Sequence, residues 1–204
     1  MKWTLLTAAL VSAVSGAVAA DTPLTQLMAQ ETRALRAIST DRLAGYVART
    51  ETEVEYSRDW LAQQRLGGND RATECLAEAL YFEARGESVR GQFAVAEVIM
   101  NRVDSPEFPD TVCGVIHQGT GKKYQCQFTY TCDGNPEHIN NQAVYGQVSK
   151  VARLMVDGAP RQLTDGATYY HTRAVTPRWA RSFARTASIG VHHFYRKPVR
   201  VSSN

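Results

Sequence analysis

The chain has 204 residues, room for one domain of ordinary size with a short appendage and for a real hydrophobic core. Apolar residues make up 44% and charged residues 21%, a globular balance that excludes wholesale disorder. A net charge of +3 is too mild to imply a nucleic-acid binder. No apolar run reaches the roughly 18 residues of a helical membrane span, so stable membrane insertion is not expected.

Residues 1–20 read as a secretory signal. Lys2 gives a positive start, Thr4 to Val14 are mostly apolar, and Ser15-Gly16-Ala17-Val18-Ala19-Ala20 supplies small residues for cleavage after Ala19 or Ala20. The expected location is therefore the periplasm or the exterior. Residues 21–70 read as a helical lead-in. Leu24, Leu27, Met28, Leu35 and Ile38 form one amphipathic stripe, and Val47, Val54 and Leu61 hint at a second. Gly67-Gly68-Asn69-Asp70 breaks that pattern, and the main domain is expected over 71–198.

The main domain opens with a predicted helix from Thr73 to Arg85, its apolar face running through Leu76, Ala79 and Leu80, with Gly86 as its stop. A second helix is predicted from about Ser88 to Val103, striped by Val89, Phe93, Ala96, Met100 and Val103. A short third helix should follow Asp110, the candidate N-cap. Residues 119–135 look irregular. A long helix fits 137–156, with Gly158 as its stop. Residues Ala167 to Thr172 and Ser188 to Tyr195 alternate like strands. Helices first and a small antiparallel pair last make the expected class α+β.

Cys75, Cys113, Cys126 and Cys132 form an even set, which in an exported chain favours two disulfides. Four cysteines allow three pairings, and the sequence leaves them open. Cys126–Cys132 closes a small loop and is the favoured bridge, with Cys75–Cys113 as the remainder. The alternative is a zinc site using His117 or His138 beside Cys113 and Cys132. No Cys-x-x-Cys pair supports it, so no metal or other cofactor is expected.

Glu83 lies seven residues after Leu76, four after Ala79 and three after Leu80, on the face its helix should bury. Carboxylates seldom sit there. An apolar wall disfavours the charged form, raises the pKa and makes a general acid usable near neutrality. A glutamate at a fraying helix end, turned to solvent or capping the next helix, satisfies the same offsets. A two-carboxylate glycosidase needs a facing acid. Glu87 would share one side of a cleft with Glu83. Asp133 is a candidate partner, or else part of an ordinary Asp-Gly turn.

His171 on its strand reads first as a packed, hydrogen-bonded histidine, and His192 and His193 point to opposite strand faces. No His-Glu-x-x-His, Gly-x-Ser-x-Gly or phosphate-binding glycine loop is present, which argues against zinc proteases, esterases and nucleotide enzymes. The span 161–200 holds eight Lys/Arg against Asp165 alone. Arg178, Arg181 and Arg185, near Trp179 and Phe183, form either a groove for an anionic polymer or a solvated basic face.

The run from Cys75 to Glu87 contains Glu83-Ala84-Arg85-Gly86-Glu87. It is followed by Gly91-Gln92 and by Asn101-Arg102-Val103 at the end of an apolar helix. Further matches lie at Val112 to Ile116, Gln127-Phe128-Thr129, Asp133-Gly134, Ala167 to His171 and Ile189 to Phe194. This string, over about residues 73–196, resembles the cell wall hydrolase family of the spore cortex-lytic enzyme SleB. The resemblance implies a lysozyme-like α+β fold and cleavage of peptidoglycan glycan strands by a lytic transglycosylase, leaving 1,6-anhydromuramyl ends. It assigns the catalytic glutamate to Glu83. It also implies that Gln127, Phe128, Thr129, Asp133, Tyr170 and His171 line the cleft, where Phe128, Tyr170 and Trp179 can stack on sugars. The implied partner is peptidoglycan. Two rivals accompany this reading: a hydrolytic muramidase with Asp133 as base, and a non-catalytic peptidoglycan-binding module. Residues 21–70 do not resemble a peptidoglycan-binding repeat, and the cysteines around the Gln127 loop resemble a variant of Gram-negative members. Both features point to periplasmic wall remodelling rather than the spore cortex.

Overall fold

A computed structural model describes residues 23–36, 54–65, 67–68, 70–121 and 126–198. The expected signal segment, Ile38, Val47 and Asn69 lie outside the described residues. Residues 23–36 fall in one compact unit and residues 54–198 in another. In the first, α1 (Pro23–Arg36) leaves Leu24, Leu27 and Met28 exposed along one side, the stripe read from their spacing.

The second unit begins with a short helix, α2 (Arg58–Gln63). Leu61 is fully buried in the core, the Tyr56 ring meets Phe93 edge-on at 5.2 Å, and Lys150 Nζ donates to the carbonyls of Leu61 and Ala62 at 3.1 and 2.7 Å. Part of the sequence expected as lead-in is thus packed into this unit.

Helix α3 (Arg71–Ala84) is the centre of the molecule. It is buried over much more than one stripe, through Cys75, Leu76, Ala77, Ala79, Leu80, Tyr81 and Ala84. Each fully buried Leu contributes about 1.5–3 kcal/mol relative to an exposed one. The alanines let neighbouring helices approach: α4 (Val89–Val103), α5 (Val112–Ile116) and α6 (Gln142–Val156) all pack against α3.

Short polar side chains set the helix starts. Asp70 accepts from Thr73 N at 2.8 Å, Ser88 from Gly91 N at 3.2 Å, Thr111 from Gly114 N at 3.1 Å and Asn141 from Val144 N at 3.1 Å. Such a cap stabilises by about 1 kcal/mol. Thr111, not Asp110, caps α5, because its hydroxyl is the group that reaches the free amide. Helix α6 starts at Gln142 rather than near 137. Asn141 caps it, and the Asn141 amide also donates to Tyr81 Oη at 3.1 Å. Gly158, at φ 96°, follows the end of α6 as expected.

The sheet has three antiparallel strands in the order β1-β3-β2: β1 (Tyr169–Thr172), β2 (Ala184–Ile189) and β3 (His192–Arg196). His171 pairs with His193 and Ile189 with His192. The apparent single strand from Ser188 to Tyr195 is therefore the core of a hairpin whose two-residue turn is Gly190-Val191. Gly190 has φ 58°, as the first central position of a type II′ turn requires. The expected α+β class holds, with one strand more than the alternation suggested.

Two buried carboxylates join the helices to this sheet. Glu97 on α4 accepts from the amides of Leu163 and Thr164, both at 2.9 Å, and from Thr164 Oγ1 at 2.6 Å. Thr186 Oγ1 on β2 donates to Thr164 O at 2.6 Å, which ties that loop to the sheet. Glu87, just before α4, accepts from Val191 N at 3.2 Å through Oε1. A Cβ on Gly190 would stand 1.8 Å from Glu87 Oε2. Gly190→Ala should therefore destabilise the domain by about 2 kcal/mol or more, combining backbone strain with a displaced carboxylate. Urea unfolding beside wild type measures the loss.

Candidate active site

A cavity of about 450 Å³ opens where the end of α3 meets β1, the edge strand of the sheet. Glu83 lines it from the last turn of α3, Arg102 from the last turn of α4, Gln127, Phe128 and Thr129 from the loop before α6, and Tyr170, His171 and His192 from the sheet. Helix, loop and sheet thus converge on one carboxyl group.

Glu83 is half-buried. Burial pushes its carboxyl pKa up, while a hydrogen bond from Tyr170 and the Arg102 charge work in the opposite direction. Tyr170 Oη donates to Glu83 Oε2 at 3.2 Å. Helix α3 ends one residue later, so the negative end of its dipole also disfavours a carboxylate here. The result is an acid inclined to hold its proton, with two groups waiting to stabilise the anion when the proton leaves. The Tyr170 phenol is itself pushed well up, by burial and then by the nearby Glu83 charge, so it stays a donor.

Arg102 is 2% exposed. Its Nε donates to Thr168 O at 2.7 Å, and its guanidinium lies over the rings of Phe108, Phe128 and Tyr169 at 5.3, 5.6 and 5.9 Å. The Gln127 amide oxygen, oriented by the donors it faces, accepts from both terminal nitrogens at 3.2 and 3.3 Å. Aromatic faces and neutral oxygens replace a carboxylate partner, so the guanidinium charge is left to act on Glu83.

The loop wall is stiffened twice. Cys126–Cys132 is bridged, enclosing Gln127, Phe128 and Thr129, and Cys75–Cys113 ties α3 to α5. Both pairings match the favoured expectation. Their sulfurs are committed, which removes the donor set of the zinc alternative. Behind the loop, Tyr130 stacks on Phe82 at 4.6 Å. Phe82 itself lines the cavity beside Glu83.

His171 Nδ1 lies 2.8 Å from Thr172 O, which can only accept, so Nδ1 carries the proton. Nε2 then accepts from Tyr195 Oη at 3.0 Å. His192 is buried with Nδ1 3.3 Å from Glu87 Oε1, and burial is the main cause holding its pKa down. It faces the cavity as a neutral imidazole.

Of the residues picked out from the sequence, Glu83, Gln127, Phe128, Thr129, Tyr170 and His171 are brought together. Asp133 and Trp179 are not among the lining residues. Asp133 is exposed, and its Oδ1 accepts from Asn135 N at 2.8 Å, the ordinary turn. Trp179 packs behind the site, its ring 5.6 Å from His171 and 5.4 Å from Tyr169. Glu87 is spent on the hairpin turn. Arg102 and His192 were missed. Arg102 follows Val95, Val98 and Ile99 by seven, four and three residues, the offsets that singled out Glu83, so the same test applied to cations finds it. A separate open groove of about 880 Å³ is larger, but its charges are paired, Lys197 with Glu107 at 2.8 Å, Asp104 with Arg161 and Arg196 with Asp165. Glu83 does not line it.

Comparison with known proteins follows this geometry. Residues 86–195 match the cell wall hydrolase family. The spore cortex-lytic enzyme of Halalkalibacterium halodurans is 37% identical over 131 residues, 63% of this chain and 36% of that protein. The spore cortex-lytic enzyme of Bacillus subtilis is 33% identical over 143 residues, 67% of this chain and 42% of that one. The chain thus spans less than half the length of these curated relatives. The solved catalytic domain of the germination-specific lytic transglycosylase SleB from Bacillus anthracis is 32% identical, with a TM-score of 0.47 over 65% of this chain and all of that one. With the family match running from Gly86 to Tyr195, through the second half of the Glu83–Glu87 motif, the cavity loop and the sheet, the chain belongs to the cell wall hydrolase family.

Proposed function

We propose that the chain cleaves the glycan strands of peptidoglycan as a lytic transglycosylase, with Glu83 as its single acid-base group. The observation that carries this reading is one half-buried carboxyl at a cavity with no second carboxylate among the lining residues described. Glu87 and Asp133 are engaged elsewhere, so a facing base for water or a carboxylate nucleophile is not supplied. A reaction whose nucleophile comes with the substrate fits that inventory, and the relatives named as spore cortex-lytic enzymes support cleavage of a wall polymer.

In this mechanism protonated Glu83 gives its proton to the glycosidic oxygen as the bond from that oxygen to C1 of the muramic residue breaks. Positive charge develops at C1. Tyr170 and Arg102 hold the Glu83 carboxylate that forms. The C6 hydroxyl of the same sugar then attacks C1, and its proton returns to Glu83. The enzyme ends as it began, and the strand ends in a 1,6-anhydro ring. The attack is intramolecular, so orientation replaces a separate nucleophile. Phe82 and Tyr170 offer ring surface for sugars, whereas Phe128 is buried against Arg102, and the Gln127–Arg102 contact fixes the loop beside the acid.

The substrate lies outside the cytoplasmic membrane. Two disulfides suit that oxidising setting, and the leader read in residues 1–20 supplies the export step. Residues 71–198 are the catalytic domain of this reading, with residues 54–65 packed into the same compact unit.

Glu83→Gln should fold normally and lower lytic activity on purified sacculi by roughly 10²–10⁴-fold. Mass spectrometry of wild-type products should find muropeptides lighter by one water than hydrolysis products. Heavier products would replace this reading with a hydrolytic muramidase, and sacculus binding without turnover would replace it with a binding module.

Tyr170→Phe removes a hydrogen bond that favours the Glu83 carboxylate, so the acid should hold its proton to higher pH. The alkaline limb of kcat/KM should then move upward. The rate at the optimum should fall roughly 10–100-fold, because the carboxylate formed in the first step loses a charge-assisted bond. A pH-rate profile beside wild type measures both.

A further inference from the structure

The strand that contributes Tyr170 and His171 to the cavity runs directly into an arginine surface. Arg173 sits between Thr172 and Val175, which line the cavity. Arg178 and Arg181 flank Trp179, whose ring packs on His171 at 5.6 Å. Burial first, and then the charges of Arg185 on β2 and of Arg173, hold the His193 imidazole pKa down. His193 is in turn 5.7 Å from His171, ring to ring. All four arginines are exposed, and none of them forms an ion pair among the described residues. The neighbouring basic groups behave differently. Arg161 is paired with Asp104, Arg196 with Asp165 and Lys197 with Glu107. Between residues 161 and 198 the single acid is Asp165, so the patch has no local counter-charge. Among the described basic residues from 161 to 198, the unpaired ones are thus those that continue the cavity rim.

We infer that Arg173, Arg178, Arg181 and Arg185 form a docking surface for the carboxylates of the peptide stems that branch from a glycan strand seated in the cavity. This rests on the proposed peptidoglycan substrate. Glycan carries no charge to match the patch, whereas its peptide branches end in, and contain, carboxylates. Guanidinium forks bind carboxylates in pairs of parallel hydrogen bonds. At an exposed surface each contact is weak and screened by salt, so the expected action is additive capture and steering rather than chemistry.

The test compares wild type with Arg173→Gln/Arg178→Gln/Arg181→Gln/Arg185→Gln in the full chain. Substrates are purified peptide-bearing sacculi, freed of attached polymers, and the same sacculi with their peptide carboxylates blocked as neutral amides by carbodiimide and excess methylamine. On sacculi at low salt the variant should raise KM roughly tenfold, leave kcat within a factor of about two, and flatten the salt dependence of kcat/KM. On blocked sacculi the two proteins should be equal. An unchanged KM and salt slope on sacculi overturns the proposal. So does a wild-type advantage that persists on blocked sacculi, which assigns the arginines to the sugar itself. Loss of binding to anionic lipid vesicles with unchanged sacculus kinetics also overturns it and assigns the face to a membrane. Circular dichroism confirms that the variant is folded. Glu83→Gln run in parallel separates the two readings, since activity retained there removes the proposed reaction and leaves the docking result to stand on binding alone.

Discussion

The Gly190-Val191 turn rests on the Glu87 carboxylate, and this contact sets where the sheet can lie. Only a residue without a side chain fits, since a Cβ would stand 1.8 Å from Glu87 Oε2. The turn fixes β3, β3 fixes its antiparallel neighbour β1, and β1 carries Tyr170 to the end of α3. Glu83 and Glu87, four residues apart across a helix end, thus divide the work. One holds the sheet, and the other faces the cavity that the sheet completes. A glutamate in both places is no redundancy, because one carboxylate is consumed by backbone and imidazole contacts and the other is left with a single phenol.

The helical half was legible because its rules are local. Offsets of three, four and seven residues located Glu83 on a buried face, and Gly158 marked the end of α6. Local signals also misplaced details. Asp110 and Thr111 are both good caps, and only the path of the chain decides which side chain meets Gly114 N. Nothing in the segment 137–141 breaks a helix outright, yet Asn141 with Tyr81 behind it starts the helix later. Gly190 hid inside an alternation that read as one strand, although a glycine within such a pattern is itself a turn signal. Asp133 answered to its turn, and Trp179 to the aromatic layer behind the sheet.

The residues that the sequence concealed are long-range partners. Offsets alone put Arg102 on a buried face, but what holds its charge there, Gln127, Phe128 and Tyr169, comes from elsewhere in the chain. Glu97 looks like a surface break in the stripe of α4. It proves to be fully buried because a distant loop brings two amides and a hydroxyl to it. Buried charge is tolerated when its hydrogen bonds are made, and neither the loop nor the sheet can be placed from local spacing.

The same accounting explains why the acid sits where three elements meet. Within the helical core a carboxyl with no partner would stay protonated at any useful pH, and on the surface it would lose its proton too early. At the cavity, burial and the helix end favour the proton, while Tyr170 and Arg102 favour its departure. The opposing terms come from different elements, α3 on one side and β1 with α4 on the other. The balance therefore depends on how the sheet docks, and through Glu87 on a turn with no contact to substrate. A group that must both give and recover a proton within one cycle needs influences of both signs, since strong preference for either state would stall one of the two steps.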